Sequence, residues 1–277
     1  HHTTPHHHHH LPKMALISIE TMYGIATTAA IGFVINLLTS MFRTSKPKHP
    51  LFFLPEGSKV PVCFWLLSAV CSGTIYPSIY AMALYYTGSE GRADWARGSD
   101  SRHLASSGQD LMYLKYFLYV FFGYLARDLP HCLTNMLFTA HHVLCMAGII
   151  STLETTSPGA VAGVHGILVL ELGSFFFNVW STDSIMRSHP TYFPWWPRYL
   201  SESFISLAYY VMLSLSNVIA GYFLYHSTMA SFEEGYVAYG CWSAIAGLPL
   251  LIIRQLEVNK AWSGETKKPG VDSKESD

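Results

Sequence analysis

Residues 159–180 read GAVAGVHGILVLELGSFFFNVW, a run that is apolar along most of its length and carries one charge, at Glu171. An α-helix needs about 20 such residues to cross a bilayer. Ionisable side chains inside a bilayer are rare, and they usually face other helices or a cavity instead of lipid. This stretch therefore predicts a membrane-spanning helix whose polar side faces the interior of a bundle.

Six further stretches have similar length and apolar character, so the sequence predicts seven spanning helices, at 15–42, 60–86, 109–126, 131–151, 159–180, 200–225 and 235–253. The composition agrees, because 50% of the residues are apolar and 13% are charged, against about 25% charged in soluble domains. The net charge of -1 leaves no basic excess for nucleic-acid binding. We expect an all-α, polytopic membrane helix bundle.

The predicted organisation has four parts. Residues 1–14 form a His-rich, low-complexity tail, for which a metal-binding tract and a tag remnant are the alternatives. Residues 15–42 form an N-terminal anchor helix, 60–254 the main domain and 255–277 a disordered cytosolic tail. The Gly- and Ser-rich stretch 87–108 is expected to be a flexible connector.

Basic residues set the expected orientation, since Lys and Arg accumulate in cytosolic loops. One side of the predicted bundle holds four of them, Lys13, Arg92, Arg97 and Arg102. The other side holds twelve, which are Arg43, Lys46, Lys48, Lys59, Arg127, Arg187, Arg198, Arg254, Lys260, Lys267, Lys268 and Lys274. The C-terminus is therefore predicted to be cytosolic.

Polar residues at membrane depth mark a candidate site in the fourth helix. At 100° per residue, His131, Asn135 and His142 fall within about 40° of one another. The adjacent His141 and His142 point about 100° apart, so one ring can face a cavity while the other packs against a helix. Asp128 precedes a proline, and its carboxylate could accept a histidine N–H and fix the tautomer.

The fifth helix supplies matching groups, because Glu171, Ser174 and Asn178 share one face. Three interpretations of the two polar faces stay open. They form a hydrogen-bonded clamp between helices, a proton-handling catalytic site or a His-rich metal site. The five cysteines form no CxxC pair, so they indicate neither zinc nor redox chemistry.

The mid-span histidine pair and the run at 171–174, ELGS, followed by Asn178-Val179-Trp180, resemble the TLC-domain family. That family includes ceramide synthases and the translocating-chain-associated membrane protein. The longer motif of the ceramide synthases is absent here, since His141-His142 is followed by Val-Leu-Cys. The pattern is therefore closest to the small, uncharacterised TLC-domain transmembrane proteins.

The resemblance implies a six-helix barrel with an additional N-terminal helix, in the endoplasmic reticulum or another endomembrane. It also implies a role in lipid metabolism, with transfer of a fatty acyl group from acyl-CoA to a lipid acceptor as the candidate reaction. The expected catalytic residues are His141, His142, Asp128 and Glu171, and the expected substrate-binding residues are His131, Asn135, Ser174 and Asn178. His142 is the expected reactive ring, facing the cavity.

Alternatives to this enzyme remain. A non-enzymatic lipid-binding or lipid-homeostasis protein would use the same polar face. A seven-helix receptor is disfavoured, because the last helix has no lysine for retinal and the usual receptor motifs are missing. No cofactor or metal is expected. Membrane lipids and acyl-CoA are the expected partners, and a homodimer is left open.

Overall fold

The computed structural model describes residues 17–46, 49–54, 60–133, 136–196 and 200–263. Within these ranges the chain forms eight α-helices and no β-strand: α1 (Ile19–Ser45), α2 (Val62–Val70), α3 (Tyr76–Arg97), α4 (Gln109–Cys132), α5 (Met136–Glu154), α6 (Gly159–Ser188), α7 (Glu202–Glu233) and α8 (Val237–Trp262). The tail predicted at 1–14 lies outside the described residues. The tail predicted at 255–277 is helical as far as Trp262, and residues 264–277 lie outside the description.

Helices α2 and α3 form one rod, because a short π-helix, Cys71–Ile75, joins them without a break. Single π-helical turns inside α-helices are frequent at functional sites. Further along α3, Gly88 has φ 76° and ψ 177°. Glycine adopts positive φ without steric cost, so the rod bends there and continues to Arg97.

Five rods are long and apolar enough to cross a membrane within the described part of the chain: Ile19–Ser45, Val62–Arg97, Gly159–Ser188, Glu202–Glu233 and Val237–Trp262. The remaining helices α4 and α5 carry Asp128, His131, His141 and His142 and pack among these rods. The predicted all-α, polytopic membrane helix bundle is therefore confirmed.

Six rods close a ring. Going around it, the α2–α3 rod packs on α6, α6 on α7, α7 on α8, α8 on α5, α5 on α4, and α4 returns to α3. Helix α5 has the sparsest packing against its neighbours α6 and α8. We call the side where α1, α4, α6 and α8 end the basic face, and the opposite side, which holds residues 98–108, the loop face.

Helix α1 packs outside the ring, against α4. Gly32 and Gly123 allow the close approach, since a Cβ on Gly32 would lie 2.6 Å from the Gly123 carbonyl oxygen. Small residues at a crossing let membrane helices approach until their backbones touch. The Asn36 amide also donates to the carbonyl oxygen of Arg127 at 2.6 Å, which fixes the register of the two helices.

The connector at 87–108, expected to be flexible, is folded and packed. Residues up to Arg97 are helical, and Leu104 is fully buried. The Trp95 indole N–H donates to Asp100 at 2.6 Å, and Arg102 pairs with Asp100 and Asp110 at 2.7 Å each. Burial opposes ionisation of Asp100, but hydrogen bonds from Arg102 and Trp95 outweigh it and hold the pKa of this carboxyl below its usual value.

Candidate functional site

A cavity lies inside the ring, between α5, α6, α7 and α8, and we call it the central cavity. Its volume is about 140 Å³. Most of its wall is apolar. Four glycines line it, at positions Gly148, Gly163, Gly166 and Gly247.

The cavity is elongated along the helices. Arg254 lines it toward the basic face, and Tyr239 lines it near the loop face. The fifteen residues of α8 between them correspond to about 22 Å at 1.5 Å per residue. The tails of one leaflet span about 15 Å, which is half of the hydrocarbon core. The lining residues of α8 are therefore distributed over at least the depth of one leaflet.

Arg254 forms the polar end of the cavity and joins three helices. Its side chain donates to the Asn217 amide oxygen at 3.1 Å, to the Ser174 hydroxyl at 3.2 Å and to the Leu170 carbonyl oxygen at 3.0 Å. A guanidinium has five N–H donors, so these three bonds leave donors for an oxygen of a ligand. This role is not predicted from the sequence, because Arg254 follows directly on the last predicted span, 235–253, and is therefore assigned to a loop.

Glu171 lines the cavity on α6 and is buried, with 8% of its surface exposed. The Arg254 charge acts on this carboxyl through space, and Ser174 lies beside it. Asp128 is also an electrostatic neighbour of Glu171, from outside the cavity. Glu171 therefore lies between the cavity and a second polar cluster around Asp128.

The two adjacent histidines occupy different environments, as their spacing predicts. His141 lines the cavity, and both of its ring nitrogens lie near the Cys145 sulfur, at 3.8 and 3.9 Å. His142 points away, and its Nε2 lies 3.7 Å from the Cys132 sulfur. The prediction that His142 faces the cavity is therefore corrected: the structure places His141 there. The two rings meet edge to face, with centroids 5.5 Å apart.

Asp128 belongs to the second cluster, and its carboxylate pairs with Arg127 instead of the histidine that the sequence predicts. The Arg127 guanidinium donates to this carboxylate at 2.6 Å. The same guanidinium donates to the Ser68 hydroxyl at 2.8 Å and stacks over Phe64 and Tyr124. His142 is an electrostatic neighbour of Asp128. This buried ion pair joins α4 to α2.

The remaining predicted site residues are dispersed. His131 packs edge-on against Phe64, with ring centroids 5.2 Å apart, on the side of the Arg127 pair. Asn178 is buried on α6 and is not among the residues that line the cavity. Asn135 lies outside the described residues. The cavity thus brings together His141 and Glu171 from the predicted set, and Ser174 adjoins them through Arg254.

The arrangement combines an acid, an imidazole and a guanidinium at one end of an apolar chamber. The carboxyl and the imidazole can hold or move a proton, and the guanidinium can bind an anionic oxygen. Within the described residues, no three His, Cys, Asp or Glu side chains lie close enough together to hold a metal ion. The site can therefore bind an anionic oxygen and transfer a proton next to a long apolar group.

No protein-family model matches the chain, and no curated protein or solved structure matches it either.

Proposed function

We propose that this protein acts in lipid metabolism by taking the hydrocarbon chain of a single lipid into the central cavity. The observation that carries the proposal is the chemistry of that cavity, whose wall is mostly apolar and whose charged residues, Glu171 and Arg254, lie together with His141. A polar molecule finds few hydrogen-bond partners in an apolar cavity. Each methylene group that moves from water into the cavity, in contrast, contributes about 0.8 kcal/mol to the free energy of binding. A lipid chain therefore fits this space better than a polar metabolite does.

The polar end favours a chain that carries an oxygen-rich group, such as a carboxylate, an ester or a thioester. Arg254 supplies donors to an anionic or carbonyl oxygen, and His141 and Glu171 supply groups that exchange protons. The loosely packed helix α5 forms one wall, which gives a membrane lipid a lateral way in.

The reaction that we propose is acyl transfer from acyl-CoA to a lipid hydroxyl or amine. His141 would take the proton from the acceptor as its oxygen or nitrogen bonds to the acyl carbon. The thioester C–S bond would then break, and the departing CoA thiolate would take that proton from His141 and leave as the thiol. Arg254 would stabilise charge on the carbonyl oxygen. Glu171 would orient the imidazole. The non-enzymatic alternative uses the same cavity to bind a lipid without turnover.

The proposed setting is an endomembrane, with the basic face toward the cytosol. The ends of α1, α6 and α8 at that face carry Arg43, Arg187 and Lys260. Basic residues favour the cytosolic side, and they would also attract the phosphates of acyl-CoA.

Two measurements test the proposal. The first is native mass spectrometry with lipid extraction on the full chain, which should find one lipid bound per protein. The second is consumption of a long-chain acyl-CoA by the reconstituted protein in the presence of an acceptor lipid. His141→Ala should abolish turnover, and the neighbouring substitution His142→Ala serves as the matched control. Bound lipid without turnover would support the non-enzymatic alternative, and absence of both would refute the proposal.

A further inference from the structure

A cluster of four rings lies near the loop face, and we call it the loop-face plug. It consists of Tyr80 and Trp95 of α3, His165 of α6 and Phe223 of α7, and none of these residues lines the central cavity. The His165 ring is in the middle, with its centroid 4.7 Å from that of Trp95, 5.6 Å from Tyr80 and 5.5 Å from Phe223. The plug therefore joins three helices of the ring at one level.

His165 is an unusual residue for this position. Its side chain is buried, and neither ring nitrogen has a hydrogen-bond partner within the described part of the chain. Buried polar groups in folded proteins are nearly always bonded to protein or to ordered water. A phenylalanine would fill the same space between aromatic rings without two unpaired nitrogens. The imidazole therefore costs stability that an apolar ring would not.

The loop at 98–108 covers the plug and is held there by Trp95. Gly98, with φ 66°, turns the chain directly after α3, in a conformation that glycine adopts without steric cost. The Trp95 indole, which packs on His165, donates to Asp100 of this loop at 2.6 Å. Arg102 binds the same carboxylate. Movement of the Trp95 ring would therefore release the loop.

Protonation of His165 conflicts with the closed plug. An imidazolium has two N–H donors and a positive charge, and neither nitrogen has an acceptor within reach. Burying an unpaired charge costs far more than burying an unpaired neutral group. The titratable and charged groups around the ring are Tyr80 and Asp100, and Trp95 and Arg102 already occupy the Asp100 carboxylate. The imidazolium therefore reaches a carboxylate or water only if the Trp95 ring moves.

We propose that the loop-face plug is a pH-sensitive switch, in which protonation of His165 displaces Trp95 and opens the loop at 98–108. The proposed orientation places this loop on the side opposite the cytosol, so the switch would respond to acid on that side. The switch does not depend on the proposed function, because its residues lie outside the cavity.

The expected size of the effect follows from proton linkage. In the open state His165 contacts water, where a histidine has a pKa near 6.5, and the closed plug holds the ring neutral. Between pH 7.5 and pH 5.0 the ratio of open to closed protein should therefore rise by about 30-fold. Asp100 stays charged over this range, because hydrogen bonds from Arg102 and Trp95 hold its pKa below the usual value near 4.

Hydrogen–deuterium exchange on the full chain in lipid nanodiscs tests the proposal, with rates corrected for the pH dependence of exchange itself. The Ser99 amide donates to the Asp94 carbonyl oxygen and the Arg102 amide to the Asp100 carboxylate, both at 2.9 Å. Protection of these amides should fall by about 30-fold from pH 7.5 to pH 5.0. Amides in the middle of α7 should keep their protection. Unchanged or increased protection of the loop, or an equal loss along the whole chain, would overturn the proposal.

Substitutions assign the effect to one ring. His165→Phe keeps an aromatic ring in the plug and removes the titrating group, so loop protection should be equal at the two pH values. The matched control is His226→Phe on α7, where a partly exposed histidine stacks on Tyr222 at 4.4 Å, and it should behave like the wild type. His103→Gln controls for the histidine of the loop itself, which bonds to Ser106. An acid response that persists in His165→Phe would overturn the proposal.

A pH series on the wild type decides the question if His165→Phe does not fold. Opening through a histidine should begin near pH 6.5 and increase by up to tenfold for each further pH unit. Opening through carboxylates would begin only below about pH 5. A wild-type onset below that value would contradict the switch, as would loss of the response in His226→Phe or His103→Gln.

Discussion

Substitution of Gly148 by phenylalanine should block the central cavity without damaging the fold. Gly148 lies on the cavity face of α5, two helical turns beyond His141, and a Cβ built on it meets no atom within 4 Å. The aromatic ring would lean toward Leu144, on the N-terminal side, and would close the passage past position 148. Glycine in a helix interior is disfavoured by about 1 kcal/mol relative to alanine, so the substitution should not lower the melting temperature.

The expected loss of affinity follows from the length of chain that is excluded. Blocking the cavity from Gly148 to Thr152 removes about 6 Å of helix length. If that excludes roughly four methylenes at about 0.8 kcal/mol each, the loss is about 3 kcal/mol. Since 1.4 kcal/mol is a factor of ten, affinity for a long-chain fatty acid should fall by about 100-fold.

The assay is titration of a fluorescent long-chain fatty acid into the purified protein without a surrounding bilayer, so that the excluded methylenes are left in water. The matched control is Val143→Phe on the same helix, since Val143 is 51% exposed on the outer surface, and it should bind like the wild type. A shorter fatty acid that ends before Gly148 should bind both variants equally. Wild-type affinity of Gly148→Phe for the long chain would refute the placement of the chain in this cavity.

Three further predictions concern the polar end, the loop face and the orientation. Arg254→Gln should weaken binding of a fatty acid by about 10-fold or more, because a charged hydrogen bond is worth roughly 1.5–3 kcal/mol. The affinity for the matching fatty alcohol should barely change, and a titration with that alcohol therefore separates this effect from misfolding. Asp100→Asn should lower stability at pH 7 by about 1 kcal/mol, through loss of charge on hydrogen bonds from Arg102. Because the folded pKa of Asp100 is below its unfolded value near 4, this stabilisation is present above that value and is lost as pH falls through the folded pKa, so thermal melts from pH 7 to pH 3 should converge for the two proteins. Glycosylation tags should be modified in the 98–108 loop and remain unmodified after α8; the opposite pattern would contradict the proposed orientation.

The spans could be predicted from the sequence because bilayer thickness imposes a minimum apolar length on every crossing helix. Their ends could not. Helix α6 was predicted to end at Trp180, but it continues through Ser181, Thr182 and Asp183, which are polar and yet buried. A prediction from hydropathy ends the span at such polar residues, because it contains no information about the neighbouring helices that bury them.

The prediction for residues 87–108 was wrong for a related reason. Gly and Ser content is typical of flexible connectors, but three charged residues that bond to one another hold this segment together. Charges of both signs close to a tryptophan, here the buried Trp95, indicate a folded segment and not a flexible one. The sequence shows their proximity along the chain but not the fold that closes the network.

The candidate site was predicted only in part. Glu171 and a histidine of the pair do meet at one cavity, because polar residues in a span must face inward. Which histidine faces the cavity depends on the rotation of α5, and its apolar residues surround the whole helix, so the sequence leaves that rotation undetermined. Arg254 was missed because the span boundary was placed one residue before it, although a lone cation within LLIIRQLEV was a usable signal.

The most direct test of the central claim is photo-crosslinking with a long-chain fatty acid that carries a diazirine near its methyl end and an alkyne for recovery. The protein is labelled in nanodiscs and the modified residues are located by mass spectrometry. The account expects the crosslinks to concentrate at the cavity end toward the loop face, around Thr152, Gly163 and Tyr239, and to disappear in Gly148→Phe but not in Val143→Phe. Crosslinks distributed over the outer, lipid-facing surfaces of α1 and α7, and unchanged by Gly148→Phe, would contradict it.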